Sequence, residues 1–128
     1  MIDSPKKLLI VEDSALIQER LLRLLDGIPE IKVLGVSATA TDALDRIRGE
    51  RPDLLLLDIA LEEGDGFQVL RDLNGHHPAS RVVMLTNYAN PLFRQRAANW
   101  GVRHFFDKST EFERAIDCLR QLALEGAA

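Results

Sequence analysis

The chain has 128 residues, 46% hydrophobic and 28% charged, which fits one soluble globular domain long enough to bury a proper core. Its net charge of -4 argues against a nucleic-acid-binding face, and its single cysteine, Cys118, rules out an internal disulfide and suits a reducing compartment. The apolar run after Lys6 and Lys7 is only Leu8-Leu9-Ile10-Val11, too short for a signal-peptide core or a membrane span, so a cytoplasmic protein is expected.

Lys7 to Val11 reads as a first buried strand that ends in Glu12-Asp13. Ser14 can cap the helix that follows, over about residues 14–26. Ala15, Leu16, Ile17, Leu21, Leu22, Leu24 and Leu25 give that helix a wider apolar face than one core stripe needs. Deep packing is the default reading, and a docking surface is the alternative. Gly27 closes the helix and Pro29 prevents its resumption. Ile31 to Val36 alternates as an edge or second strand does. Thr39 or Thr41 starts the next helix, with Ala40, Ala43, Leu44 and Ile47 on one face and Gly49 as its stop.

Asp53-Leu54-Leu55-Leu56-Leu57-Asp58, preceded by Pro52, is an unbroken apolar run between carboxylates. It predicts a short strand covered on both faces, as in a parallel sheet. An acidic loop, Glu62-Glu63-Gly64-Asp65-Gly66, follows, then a third helix with Phe67, Val69, Leu70 and Leu73, ending at Asn74-Gly75. His76-His77-Pro78 reads as a turn, where adjacent histidines make a poor chelate. Arg81 to Leu85 is the fourth strand, ending in Thr86-Asn87. Pro91 suits the first turn of a fourth helix, which runs to about Asn99-Trp100-Gly101. Val102 to Phe106 is the fifth strand, and Asp107-Lys108-Ser109-Thr110 leads into a last helix that buries Phe112, Ala115, Ile116, Leu119, Leu122 and Ala123. Cys118 lies in that helical pattern with no metal-ligand spacing around it, as a small core or partly buried residue.

Strand and helix alternate five times with no internal linker, so residues 1–128 are expected to form a single domain with its core at about 6–124. A doubly wound parallel sheet is the natural solution for such a pattern. No glycine-rich phosphate fingerprint follows the first strand; acidic residues stand there instead. In open α/β sheets the ligand crevice lies outside the carboxyl ends of the strands. Glu12, Asp13, Asp58, Thr86 and Lys108 all stand at or just beyond such ends. Three carboxylates in one crevice repel, at about 4 kcal/mol per pair 4 Å apart for an effective dielectric near 20. They call for a cation, and an all-oxygen ligand set points to Mg2+, with Mn2+ as the alternative. Asp58 can act as a carboxylate nucleophile and form an aspartyl-phosphate. Lys108 and the metal would neutralise the transferring group, and the Thr86 hydroxyl can donate to it.

In Leu9-Ile10-Val11-Glu12-Asp13-Ser14, Leu55-Leu56-Leu57-Asp58-Ile59, Val83-Met84-Leu85-Thr86 and Phe105-Phe106-Asp107-Lys108-Ser109, the chain resembles the receiver domain of two-component response regulators over nearly its whole length. The resemblance implies a flavodoxin-like α/β fold with strand order 2-1-3-4-5 and helices on both faces. It matches Asp58 to the phosphoacceptor, Glu12 and Asp13 to the acidic pair that holds Mg2+, and the Ala60 carbonyl to the backbone metal ligand. Asp13 is the more direct ligand of the pair. Thr86 and Lys108 match the phosphate-contacting pair, and Phe105 the aromatic switch. Four positions depart from the family pattern. Ser109 replaces a proline after the lysine, Glu62 stands where many members have proline, Asn87 replaces a small residue, and Phe105 lacks a hydroxyl.

The expected function is a switch rather than a turnover enzyme. A phosphohistidine of a histidine kinase or phosphotransfer protein donates to Asp58 with Mg2+. The surface of the fourth helix, fifth strand and fifth helix then changes and acts on a downstream protein or a second copy. Tyr88, Phe93, Trp100, Arg94, Arg96 and Arg103 lie on or near that surface. Either they bind an acidic partner or second copy, or the arginines are a solvated face over half-buried aromatics. No nucleic acid or membrane contact is expected of this domain. Only Glu125-Gly126-Ala127-Ala128 follow Leu124, too few for a DNA-binding helix pair. One alternative is a phosphate-independent interaction module. A Mg2+-dependent phosphohydrolase is less favoured, because such enzymes usually carry a second carboxylate where Ala60 stands.

Overall fold

The computed structural model describes residues 4–73, 77, 78 and 81–125. Among these residues five strands and five helices alternate: β1 (Lys6–Val11), α1 (Ala15–Asp26), β2 (Ile31–Ser37), α2 (Ala40–Glu50), β3 (Leu54–Leu57), α3 (Gly66–Asp72), β4 (Val82–Thr86), α4 (Pro91–Asn99), β5 (His104–Asp107) and α5 (Phe112–Glu125). The strands form one parallel sheet in the order β2-β1-β3-β4-β5, the expected doubly wound topology.

The leucine run shows why both faces are covered. Side chains alternate along a strand. Leu55 and Leu57 point into a core shared with Leu9, Val11 and Met84 and with Ala43, Leu44, Ile47, Phe67, Leu70 and Ala97 of α2, α3 and α4. Leu54 and Leu56 point the other way, into a core with Leu8, Ile10, Val83 and Leu85 and with Leu21, Leu25, Ile116 and Leu119 of α1 and α5. Polar residues at alternate positions would have left one of these helix layers unsupported.

Local chemistry caps the helices. Ser14, Thr39, Asp65 and Asn90 each accept a backbone N–H from the first turn of α1, α2, α3 and α4, and Pro91 opens α4. Gly49 does not stop α2. The helix runs on to Glu50, and Arg51 takes the left-handed conformation at φ 50°. Pro52 is the reason, because a proline disfavours helical geometry in the residue before it. The fifth strand begins at His104 rather than Val102. The Val102 N–H bonds back to the Ala97 carbonyl at 3.0 Å, so Val102 seals the end of α4 instead of joining the sheet. Thr86 belongs to β4 and pairs with Asp107. The expected end of α3 at Asn74-Gly75, and His76, lie outside the described residues.

The wide apolar face of α1 is not packed throughout. Leu21 and Leu25 are buried, whereas Leu16 is 79% exposed and Leu22 and Leu24 are also on the surface. β2 is an edge strand, as its alternation suggested. Arg46 of α2 lies over it, donating to the carbonyls of Leu34 and Val36 at 3.2 and 3.3 Å. Gly35 leaves room for that guanidinium, which any β-carbon there would strike. Cys118 is partly buried against the α1–α5 core. No helix among the described residues is long and apolar enough to cross a membrane.

Candidate functional site

The carboxyl ends of β1, β3, β4 and β5 bring the polar residues together. Glu12 and Asp13 follow β1, Asp58 follows β3, Thr86 closes β4, and Lys108 follows β5. Backbone bonds continue the sheet beyond the strands and hold these positions. The Asp58 N–H donates to the Val11 carbonyl at 3.0 Å, the Glu12 N–H to Ser37 at 2.9 Å, and the Lys108 N–H to Thr86 at 3.0 Å.

One carboxylate oxygen each from Glu12, Asp13 and Asp58 lie within 4.8 Å of one another. Glu12 and Asp58 are buried and Asp13 faces solvent. Lys108 Nζ reaches between the two buried acids, 2.6 Å from Glu12 Oε1 and 2.7 Å from Asp58 Oδ2. The remaining oxygens are also engaged. Asp58 Oδ1 accepts the Ile59 N–H at 2.7 Å, and Glu12 Oε2 accepts the Ser14 N–H at 2.9 Å.

Burial pushes the Glu12 carboxyl above its ordinary range, against the pull of Lys108 and the Ser14 N–H. Burial alone would lower the Lys108 ammonium, but its hydrogen bonds to Asp58 and Glu12 outweigh that and raise it. One ammonium offsets one of three carboxylates, so the cluster keeps an excess of negative charge. An all-oxygen donor set with that excess fits a hard divalent cation such as Mg2+.

The loop after Asp58 is tied down by backbone contacts. Ala60 bridges Asp65, and the Gly66 N–H donates to the Ile59 carbonyl at 2.8 Å. Gly66 packs so closely on the Asp58 carbonyl that a β-carbon would collide with it. Two departures at usual proline positions acquire a reason here. The Glu62 N–H donates to Ala38 at 3.0 Å, and the Ser109 N–H donates to Asp107 Oδ1 at 2.7 Å. Proline has no N–H for either bond. The peptide bonds of the described residues are all trans, including Lys108–Ser109.

The side chains of Thr86 and Phe105 engage partners other than the cluster. The Thr86 hydroxyl is fully buried and accepts the Tyr88 N–H at 3.1 Å. Phe105 is half-buried beneath Arg94. Asn87 is exposed. Gln18, unremarked in the sequence pattern, donates to the Glu12 carbonyl at 2.6 Å and steadies the acidic turn. Glu111 is another such residue, since it accepts from Asp107 and Arg94. Its partners lie up to seventeen positions away, so no local motif marks it. Gly66 had a readable signal in the Asp65-Gly66 pair, a capping residue followed by a glycine.

The His77 ring, whose Nε2 is buried without a partner, is pushed toward the neutral form by burial. His77 has no place in the acidic cluster.

The chain is similar to known proteins in sequence and in fold. The transcriptional activator DevR/DosR of Mycobacterium tuberculosis is 33% identical over 84 residues, covering 66% of this chain and 39% of the activator. The response regulator protein VraR of Staphylococcus epidermidis is 28% identical over 115 residues, covering 90% of this chain and 55% of that protein. The chain therefore spans only part of the length of the curated relatives it matches. Among solved structures, the receiver domain of a NarL response regulator from Mycobacterium tuberculosis superposes with a TM-score of 0.83 at 22% identity, covering 98% of this chain and all of that one. The response regulator domain of Thermotoga maritima CheB has a TM-score of 0.80 at 23% identity, covering 97% of this chain and 99% of that one. These two likenesses speak for the fold. The family model of the response regulator receiver domain matches residues 8–120, and the chain belongs to that family.

Proposed function

We propose that this receiver domain, residues 1–128 with its core at about 6–124, takes a phosphoryl group on Asp58 and works as a switch. The observation that carries the reading is the Lys108 ammonium held between Asp58 and Glu12, 2.7 and 2.6 Å away, beside a third carboxylate on Asp13. A carboxylate oxygen of Asp58 attacks phosphorus of a phosphohistidine on a histidine kinase or phosphotransfer protein. The P–N bond breaks, and its electron pair leaves with the imidazole, which takes up a proton. A carboxylate nucleophile carries no proton to remove, so the attack needs no general base.

Glu12, Asp13, Asp58 and the Ala60 carbonyl would hold Mg2+, which supplies positive charge to the transferring phosphoryl oxygens. Lys108 supplies a second positive charge from a position that is already fixed. The Thr86 hydroxyl accepts from Tyr88, so its own proton remains available for a phosphoryl oxygen. Turning Thr86 toward that oxygen opens space for the Phe105 ring. The α4-β5-α5 surface then changes toward a downstream partner or a second copy. A cytoplasmic setting suits such a partner set.

The test is intact mass after incubation with acetyl phosphate and Mg2+. One phosphoryl adduct, lost in Asp58→Asn and in the presence of a chelator, is the expected result. No adduct, even with a cognate kinase present, would favour a phosphate-independent interaction module.

A further inference from the structure

Apolar burial fixes α4 less than it fixes the other long helices. Ala97 is its one fully buried residue, whereas α2 and α5 bury four and six. Two arginines on α4 add the missing contacts by reaching in opposite directions. The Arg96 guanidinium lies 4.0 Å from the centre of the Phe67 ring of α3. The Arg94 guanidinium lies 4.9 Å from the centre of the Phe105 ring of β5. Arg94 also donates to the Phe105 carbonyl at 3.3 Å and pairs with Glu111 at 3.2 Å. Glu111 stands just before α5. It accepts the Asp107 N–H at 3.0 Å and pairs with Arg114 at 3.2 Å. One carboxylate thus joins α4, the end of β5 and the start of α5, three residues from Lys108.

We propose that Arg94 and Glu111 form a latch over Phe105 that holds α4 against β5 and α5, and so sets how much occupancy of the Asp58 site is needed to change that surface. The proposal rests on the reading that occupancy at Asp58 moves the Phe105 ring. The ring cannot leave without forfeiting its contact with the guanidinium. The guanidinium cannot follow, because it is bonded to the Phe105 backbone and to Glu111. Both partners are partly exposed, at 41% and 23% for their side chains, so the latch biases the equilibrium rather than locking it.

The test titrates the full chain with beryllofluoride, a phosphoryl mimic, in the presence of Mg2+. The readout is the amide resonance of Ile59, whose N–H lies on Asp58 Oδ1 at 2.7 Å. Removing a latch makes the changed state cheaper and tightens apparent binding by the same factor. Arg94→Ala should therefore lower the midpoint about 3- to 10-fold, as a cation–π contact and a partly exposed ion pair allow. Glu111→Gln keeps an acceptor for the Asp107 N–H while losing the charge, and should shift the midpoint the same way. Arg48→Ala removes an equal charge from an exposed position on α2, away from that surface, and should leave the midpoint unmoved.

A midpoint unchanged or raised in Arg94→Ala, or lowered equally in Arg48→Ala, overturns the latch while leaving the phosphoacceptor reading intact. A wild-type Ile59 amide that never responds overturns that reading, and the latch with it. If Arg94→Ala does not fold, Arg94→Lys, which keeps the charge but loses the planar contact, should shift the midpoint in the same direction by less.

Discussion

Gly66 lies against the backbone carbonyl of Asp58, and its own N–H donates to the next carbonyl, that of Ile59, at 2.8 Å. The first residue of α3 is thereby part of the mount of the Asp58 carboxylate. A methyl group at this position has nowhere to go, because its nearest neighbours are backbone atoms of Asp58 and Ile59. Gly66→Ala should cost about 1–3 kcal/mol of stability, the usual cost of overpacking a close-packed contact. It should also slow phosphoryl transfer by displacing Asp58. Thermal unfolding and the rate of adduct formation check the two effects separately.

Asp13 is exposed, while Glu12 and Asp58 are buried with Lys108. Asp13→Asn should therefore leave metal-free stability nearly unchanged. Its effect should appear only with metal. Wild-type protein in Mg2+ at about 100 times its dissociation constant should gain about 2.7 kcal/mol over protein in chelator, and the variant should lose most of that gain. Unfolding curves with and without Mg2+ measure both. An undiminished metal effect in the variant would remove Asp13 from the ligand set.

Lys108→Met leaves Glu12 and Asp58 buried and facing each other without their shared ammonium. Glu12, already raised by burial, should rise further. A carboxyl whose folded value lies above its unfolded one favours folding most below the unfolded value, and that contribution is lost as pH rises through the folded value. The variant should thus be destabilised more at pH 8 than at pH 5. For the wild type, the raised Lys108 adds stability that is fully present below 10.5, its ordinary value, and is lost as pH climbs through the higher folded value. Denaturant titrations of both proteins across pH test this. A destabilisation independent of pH would show that Lys108 acts through packing alone.

Gly49 sits inside α2, and a β-carbon there meets nothing within 4 Å. Gly49→Ala should raise stability by about 0.5–1 kcal/mol, because alanine loses less backbone freedom in a helix. The change lies in a helix that contributes no residue to the acidic cluster, so adduct formation should be unaffected. A melting temperature that fails to rise would mean that the last turn of α2 is not helical in solution.

The order of elements was legible before any coordinates, because it rests on local signals. Four adjacent leucines between Asp53 and Asp58 require two covered faces. Ser14 and Pro91 carry the chemistry that starts helices. The members of the acidic cluster were legible for the same reason, each standing where an apolar run stops. Boundaries that depend on what the chain meets next were not. α2 passes through Gly49 because Pro52 moves its end to Arg51, and Val102 is taken by the end of α4 before β5 can use it.

Sequence alone therefore determined the parallel α/β plan and placed Glu12, Asp13, Asp58, Thr86 and Lys108 at strand ends. Tertiary structure alone decided that Lys108 lies between Glu12 and Asp58, and that Thr86 accepts from Tyr88 while Phe105 lies beneath Arg94. It also decided that Leu16, Leu22 and Leu24 face outward, and that Arg94 meets Glu111 over Phe105. Periodicity and capping report interactions within a few residues of the chain. The contacts that set charge, burial and coupling join residues as far apart in the chain as Glu12 and Lys108, which only the packed sheet brings within reach.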